Sequence, residues 1–243
     1  MAAVLQYSEE VSALKIRIKF AKRGYMKFIG HLDTMRYFQK AMRRADVDMA
    51  YSEGFNPHQI MSFAAPLGVG LTSEGEYMDI EVHSTGCSSE MVERLNSQMV
   101  EGMEVLSYVL LPDSSKNAMS IVAAADYYVS FRKGYEPDFN VKSLFEEYIS
   151  SDSIIVMKKT KKSEKEVDIR DGIYEAEVLE DKIYLKLASS SGNYLKPELV
   201  MKGFYDFAGA DMPEYALEIQ RTEVYAEDGG EFVTLESLGE PIL

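Results

Sequence analysis

Leu14-Lys15-Ile16-Arg17-Ile18-Lys19-Phe20 alternates strictly between apolar and basic residues, the period of a β-strand whose two faces meet different surroundings. Leu14, Ile16, Ile18 and Phe20 form the core-facing set, and Lys15, Arg17 and Lys19 are expected on a wet face. Downstream, between residues 31 and 46, Leu32, Met35, Phe38, Met42 and Ala45 recur every three or four positions, with Arg36, Lys40, Arg43 and Arg44 opposite. That spacing is an amphipathic helix with a basic outer stripe. Strands at 59–65 and 76–83, joined by the Gly-rich residues 66–70, a helix at 88–99 capped by Ser88 or Ser89, and a strand at 103–111 complete the order β-α-β-β-α-β. This is the split βαβ or ferredoxin-like order.

Pro112-Asp113-Ser114-Ser115-Lys116-Asn117 is polar and turn-rich, the signal of a linker. Beyond it the order returns: strand 124–132, helix 141–150, strand 153–159, a hairpin region 167–188, helix 196–208 with Pro197 in its first turn, and strand 215–225. The expected fold is α+β, two tandem ferredoxin-like halves at residues 1–112 and 118–226, each an antiparallel sheet with helices on one face. Residues 227–243 read as an acidic tail with little to pack. No sequence repeat accompanies the duplication, which rests on element order alone.

The chain has 243 residues, a net charge of −14, one cysteine, three histidines and no tryptophan, and its 46% apolar content is ample for packed cores. A single Cys87 excludes a disulfide framework and a cysteine-ligated cluster or zinc ribbon, which need two to four thiolates at one point. The first residues carry no basic, apolar leader pattern, and no apolar run approaches the roughly 18 residues of a membrane span. A cytoplasmic setting and no membrane contact are expected.

An acidic chain repels a polyanion on average. Residues 12–46, however, hold ten bases and two acids, a local +8 that leaves −22 on the remainder. A second basic cluster lies at 158–165.

Gly, Pro, His and Asn concentrate between residues 24 and 77, a composition that marks built loops. His31, Asp33 and His58 are the candidate catalytic residues, since imidazole titrates near neutrality and a carboxylate can fix its tautomer. The alternatives are a metal site, or plain turn-stabilising hydrogen bonds. His83, at a strand end, is given no role. Lys15, Arg17 and Lys19 would face Asp79 and Glu81 across a ladder, and such pairs would consume the strand's charge. Arg36, Lys40, Arg43 and Arg44 lack an obvious partner and are the better anion-binding candidates, against the alternative of a solvated face. An RNA-recognition module of this topology would put aromatics on its two central strands. The first half has Lys, Arg, Asp and Glu there. Gly68 and Gly70 are a weak phosphate signal that a hairpin explains as well. Asp168 and Arg170 are secondary candidates, or an internal salt bridge at a hairpin mouth.

Phe28-Ile29-Gly30-His31-Leu32-Asp33, Arg43-Arg44-Ala45, Tyr51-Ser52-Glu53-Gly54-Phe55-Asn56-Pro57-His58, Ser62-Phe63-Ala64-Ala65-Pro66-Leu67 and Glu76-Tyr77-Met78-Asp79 resemble the radical-SAM-linked protein family, a bacterial domain of unknown function. The stretch at 167–170 and the helix start at 196–198 resemble its later motifs, while Gln59-Ile60 and Lys196 depart from the family's usual Pro-Lys and Arg. In that family the domain is fused to, or encoded beside, a radical SAM protein, so the resemblance implies such a partner, carrying the iron–sulfur cluster and S-adenosylmethionine. With one cysteine, this chain cannot hold a three-cysteine radical cluster itself. The expectation is an accessory protein that binds an anionic substrate such as RNA through Arg36, Lys40, Arg43, Arg44, Tyr51, Asn56 and His58, with no cofactor or metal of its own. The rivals are a metal-independent RNA endonuclease using a loop histidine, which tandem ferredoxin-like halves also suit, and a module that binds only protein.

Overall fold

The computed structural model describes residues 13–159 and 164–243. Lys161 and Lys162 of the second basic cluster lie outside the described residues. Among the described residues the fold is α+β, with five α-helices and a mostly antiparallel sheet.

The first part runs β1 (Leu14–Lys22), α1 (His31–Arg44), β2 (Asp48–Met49), β3 (Met61–Phe63), β4 (Thr72–Ser84), α2 (Ser88–Asn96) and β5 (Met103–Leu110). β1 lies between β4 and β5, antiparallel to both. β2 and β3 are collinear pieces of one edge strand, since Met49 faces Val82 and Met61 faces Ile80 on β4. Ile16, Ile18 and Phe20 bury their side chains under α1 and α2 as the alternation requires, with the Phe20 ring 4.6 Å from Phe38 of α1. Ser88 does not cap α2, whose N-cap is Cys87. The Ser88 hydroxyl instead accepts from the Ile242 amide at 2.8 Å.

After α3 (Ala118–Ile121), the second part runs β6 (Val122–Phe131), α4 (Val141–Ile149), β7 (Ile155–Lys159), β8 (Glu164–Asp168), β9 (Ile173–Val178), β10 (Ile183–Ala188), α5 (Pro197–Phe207) and β11 (Leu217–Asp228). Its core gathers Tyr127 and Val129 of β6, Leu185 of β10, Phe145 of α4 and Phe204 of α5. β7 and β8 form a separate hairpin. Two separate sheets were expected, yet the strands join in one sheet of order β5-β1-β4-β11-β6-β10-β9. At the seam β4 and β11 run parallel and pair only through Thr72–Gln220 and Ser73–Arg221. Gly75 makes this approach feasible: a Cβ there would sit 2.7 Å from the Glu223 Cα. Beside it the buried Arg221 pairs with Glu76 and donates to the Ala65 carbonyl.

The wet face of β1 and the loose tail are both overturned. β12 (Glu231–Thr234) pairs with β11, a 3-10 turn follows at Leu235–Leu238, and β13 (Glu240–Pro241) pairs with β5. This segment lies across the charged side of β1 and buries Leu235 completely. Arg17 is fully buried, forks onto Asp79 at 2.7 and 3.0 Å, and donates to the Leu235 carbonyl at 3.0 Å. Lys19 bridges Glu223 and Glu236, each at 2.7 Å. Burial opposes the charge on Lys19, but the two carboxylates outweigh it and hold the ammonium above its ordinary range. Lys15 leaves Glu81 and donates to the Asp113 carbonyl at 2.7 Å. Residues 112–117 are mostly exposed, yet hydrogen bonds tie them to the fold. Asn117 caps α3 and donates to Ser62, and the Ala118 amide donates to Asp79 at 2.7 Å. Acids in the terminal segment are read by sequence as solvating; here one of them, Glu236, neutralises Lys19.

These contacts set two stability expectations, both readable by urea unfolding. Leu235→Ala leaves a cavity over β1 and costs about 2–5 kcal/mol. Arg17→Ala strands Asp79 without its cation and costs about 3–5 kcal/mol.

Candidate functional site

α1 points Thr34, Phe38, Ala41 and Met42 into the core, and its 3.6-residue period therefore turns Arg36, Lys40, Arg43 and Arg44 to solvent. Arg36 reaches Asp33 only at 3.4 Å, and both side chains are 66% exposed, so the pair is weak. Arg44 donates to the Gln98 carbonyl at 2.8 Å. Lys40 and Arg43 have neither an ion pair nor a hydrogen bond among the described residues. The basic segment thus divides. Lys15, Arg17, Lys19 and Arg23 are spent on Asp113, Asp79, Glu223, Glu236, Glu74 and Glu104, whereas the α1 stripe remains available to an outside anion.

The edge strand that follows α1 is interrupted between Ala50 and Ile60, where the Ile60 amide donates to the Ala50 carbonyl at 2.9 Å. The nine residues 51–59 are extruded as a loop, closed at its base by the Tyr51–Gln59 bridge and by the Ser52 amide on the His58 carbonyl at 2.9 Å. Gly54 has φ 108°, a turn that an L side chain resists. Phe55 is fully exposed, and Tyr51, Asn56 and His58 are exposed beside it. The Ser52 hydroxyl lies 2.7 Å from His58 Nδ1 and accepts from the His58 amide at 3.2 Å, so the imidazole orders the loop.

The three candidate catalytic residues have different partners. His58 is held by Ser52, Asp33 faces Arg36, and the His31 ring stands edge-on to Phe63 at 5.3 Å. No hydrogen bond joins any two of them among the described residues, and those residues contain no group of three or more His, Cys, Asp or Glu placed to hold a metal. Asp168 and Arg170 do not form a side-chain ion pair. Asp168 accepts from the Arg170 amide, the Ser153 hydroxyl and the Ile154 amide, which together hold its carboxyl below the ordinary range. The Arg170 guanidinium donates to the Ile173 carbonyl at 3.1 Å.

Sequence reasoning missed the helix-free side of the second part. There Asp126, Tyr128, Tyr184, Lys186 and Tyr225 share one face, and Tyr128 and Tyr184 are cross-strand neighbours with rings 5.9 Å apart. Their signal was available as the alternation of Asp126 and Tyr128 with the buried Ala125, Tyr127 and Val129. Asp126 accepts from the Tyr225 hydroxyl at 2.6 Å, while its other oxygen is buried without a partner. Burial raises its pKa against the opposing pull of Tyr225 and Lys186.

Residues 15–197 match the family model DUF2344, described as an uncharacterised protein conserved in bacteria. The matched span includes α1, the extruded loop and the Asp168 turn. No curated protein matches the chain.

Because the folded pKa of Asp126 is raised, its protonated form is the one favoured by folding, and this contribution is lost as pH rises through the folded pKa. Asp126→Asn keeps the shape without the charge. The stability of the variant relative to the parent should climb as pH rises from the ordinary aspartate range and then level off, measured by urea unfolding between pH 4 and 8.

Proposed function

We propose that this chain, which belongs to the DUF2344 family, is an accessory substrate-recognition protein that holds single-stranded RNA on α1 and the 51–59 loop for a separate radical SAM enzyme. The observation that carries the binding is the α1 stripe, where Lys40 and Arg43 have no ion pair or hydrogen bond among the described residues, in a chain of net charge −14 that neutralises Arg17 and Lys19 of its first strand internally. Phosphates would meet Arg36, Lys40, Arg43 and Arg44, which supply affinity without sequence selectivity. Bases would stack on Tyr51 and Phe55, the exposed rings of a loop ordered by His58 and Ser52. Asn56 adds a hydrogen-bonding edge. Single strands suit this surface better than duplex, because only unpaired bases offer their faces to aromatic side chains. His58 is assigned to loop order and ligand contact rather than proton transfer, since its Nδ1 partner is a hydroxyl and no carboxylate or second imidazole among the described residues is joined to it.

The partner enzyme is supported by the resemblance of the 28–33, 51–58 and 62–67 motifs and by the cysteine count. Cluster and S-adenosylmethionine belong to that partner, in the cytoplasm, where a lone Cys87 stays reduced. The strand orders β5-β1-β4-β3 and β11-β6-β10-β9 support a duplicated ferredoxin-like unit, in which the first and third strands are central.

Fluorescence anisotropy with a labelled single-stranded RNA tests the binding. Replacing Arg36, Lys40, Arg43 and Arg44 together by Glu should weaken it at least ten-fold and flatten the log–log salt dependence by about 0.7 for each phosphate no longer neutralised. Phe55→Ala should cost about 1–3 kcal/mol at an unchanged salt slope. Equal binding by the charge-reversed variant rejects the surface. Anaerobic co-purification at low salt tests the partner, and recovery of no radical SAM protein rejects it.

A further inference from the structure

A cleft of about 250 Å³ opens where the two parts of the sheet meet. Its floor follows from strand register. Thr72 faces Gln220, Gln220 faces Tyr128, and Tyr128 faces Tyr184, so hydroxyl, amide and ring form one row on the helix-free side. Three cations line the cleft from separate elements: Lys27 from the 3-10 turn Gly24–Phe28, Arg132 from the end of β6, and Lys182 from the β9–β10 turn. Each sits where the backbone fixes it. The Lys27 carbonyl accepts from Gly70 at 2.7 Å, the Arg132 amide donates to Ala216 at 2.8 Å, and the Lys182 carbonyl accepts from Leu179 at 2.8 Å.

Asp181 and Glu218 also line the cleft, yet none of the three cations forms an ion pair among the described residues. Arg132 donates only through Nε, to the Leu217 carbonyl at 3.3 Å, leaving both Nη groups open. Lys182 Nζ rests 3.8 Å from the centre of the Tyr128 ring, a cation–π contact that a better partner for each group can replace. The cleft thus sets open cationic groups beside an aromatic face. It therefore suits one small ligand that is anionic at one end and flat, with hydrogen-bonding edges, at the other.

We infer that this seam cleft binds a single nucleotide, its phosphate among Lys27, Arg132 and Lys182 and its base on Tyr128 beside Gln220 and Thr72. Lys182 acts as the ring's resident cover: it leaves the Tyr128 face for the phosphate when the base arrives. The site is separate from the α1 stripe and the 51–59 loop and stands whether or not those bind RNA. The same chemistry could come from a free mononucleotide or from the phosphorylated end of an RNA chain.

Isothermal titration of the whole protein tests this with AMP, GMP, CMP and UMP, with adenosine and inorganic phosphate as the half-ligands. At least one mononucleotide should saturate a single site, and each half-ligand should bind at least ten-fold more weakly. Lys27→Glu with Arg132→Glu should abolish that binding, and Tyr128→Leu should weaken it at least ten-fold, with thermal unfolding confirming that each variant is folded. The charge-reversed α1 variant should bind the mononucleotide unchanged, which separates this site from the RNA surface. A short RNA bearing a 5′-phosphate that binds ten-fold more tightly than its 5′-hydroxyl form and than the mononucleotide identifies the chain end as the source; equal affinity of nucleotide and RNA identifies the free nucleotide. Absence of saturable binding by any mononucleotide, or unchanged binding in the Lys27/Arg132 variant, overturns the inference.

Discussion

Arg17 enters a fully buried position from a strand whose alternation suggests solvent, and it can stay there because each of its three guanidinium nitrogens donates to an acceptor. Two nitrogens fork onto Asp79, and carbonyls of Leu235 and Lys116 take the remaining directions. Asp79 is completed in turn by the Ala118 amide. A buried charge with any of these partners missing is costly, whereas a fully paired one is tolerated. This one pair therefore fixes four segments at once: β1, β4, the connection at 112–121 and the terminal 3-10 turn. Lys19 with Glu223 and Glu236 extends the same principle toward the seam, and Arg221 with Glu76 repeats it on the helix side.

The consequence is a sheet with one side occupied by the longer helices and the other divided. Over the first part the helix-free side is roofed by charged groups that neutralise one another. Over the second it stays open from Tyr128 onward, with Tyr184, Lys186 and the turn at Lys182. Among the cations that the roof does not consume are those on α1 and those in the seam cleft, where Lys182 lies over the Tyr128 ring. An acidic body around such spots repels polyanions at long range and leaves the local sites to select by contact.

Local periodicity located the elements well because each half-buried strand and helix writes its own pattern. The alternation of residues 14–20 and the spacing of Phe38 and Met42 needed no distant information. The same alternation said that Arg17 and Lys19 face away from Ile16 and Ile18, but it could not say what lies over them, since Leu235 and Glu236 are more than two hundred residues away. Charge in the terminal segment therefore looked solvated. The β2–β3 edge was hard to read because the loop splits it into pieces too short to show a period. Composition marked the 51–58 loop, whose Gly54, Asn56 and Pro57 are turn-forming residues, but it could not tell that His31, Asp33 and His58 each find a different neighbour. The seam cleft left no linear trace at all: Lys27, Thr72, Tyr128 and Lys182 come together only through strand register.

Closure of the β1 roof by residues 235–241 also orders events in time. On a ribosome, Arg17 emerges long before Leu235, and at about 5–20 residues per second the interval is roughly 11–44 s. During that interval the uncovered side of the nascent sheet presents Lys15, Arg17 and Lys19 to water in place of an apolar surface. Inward-pointing charges of this kind discourage edge and face association between chains. The residues that later lock the roof thus first serve to keep the unfinished protein apart from its neighbours.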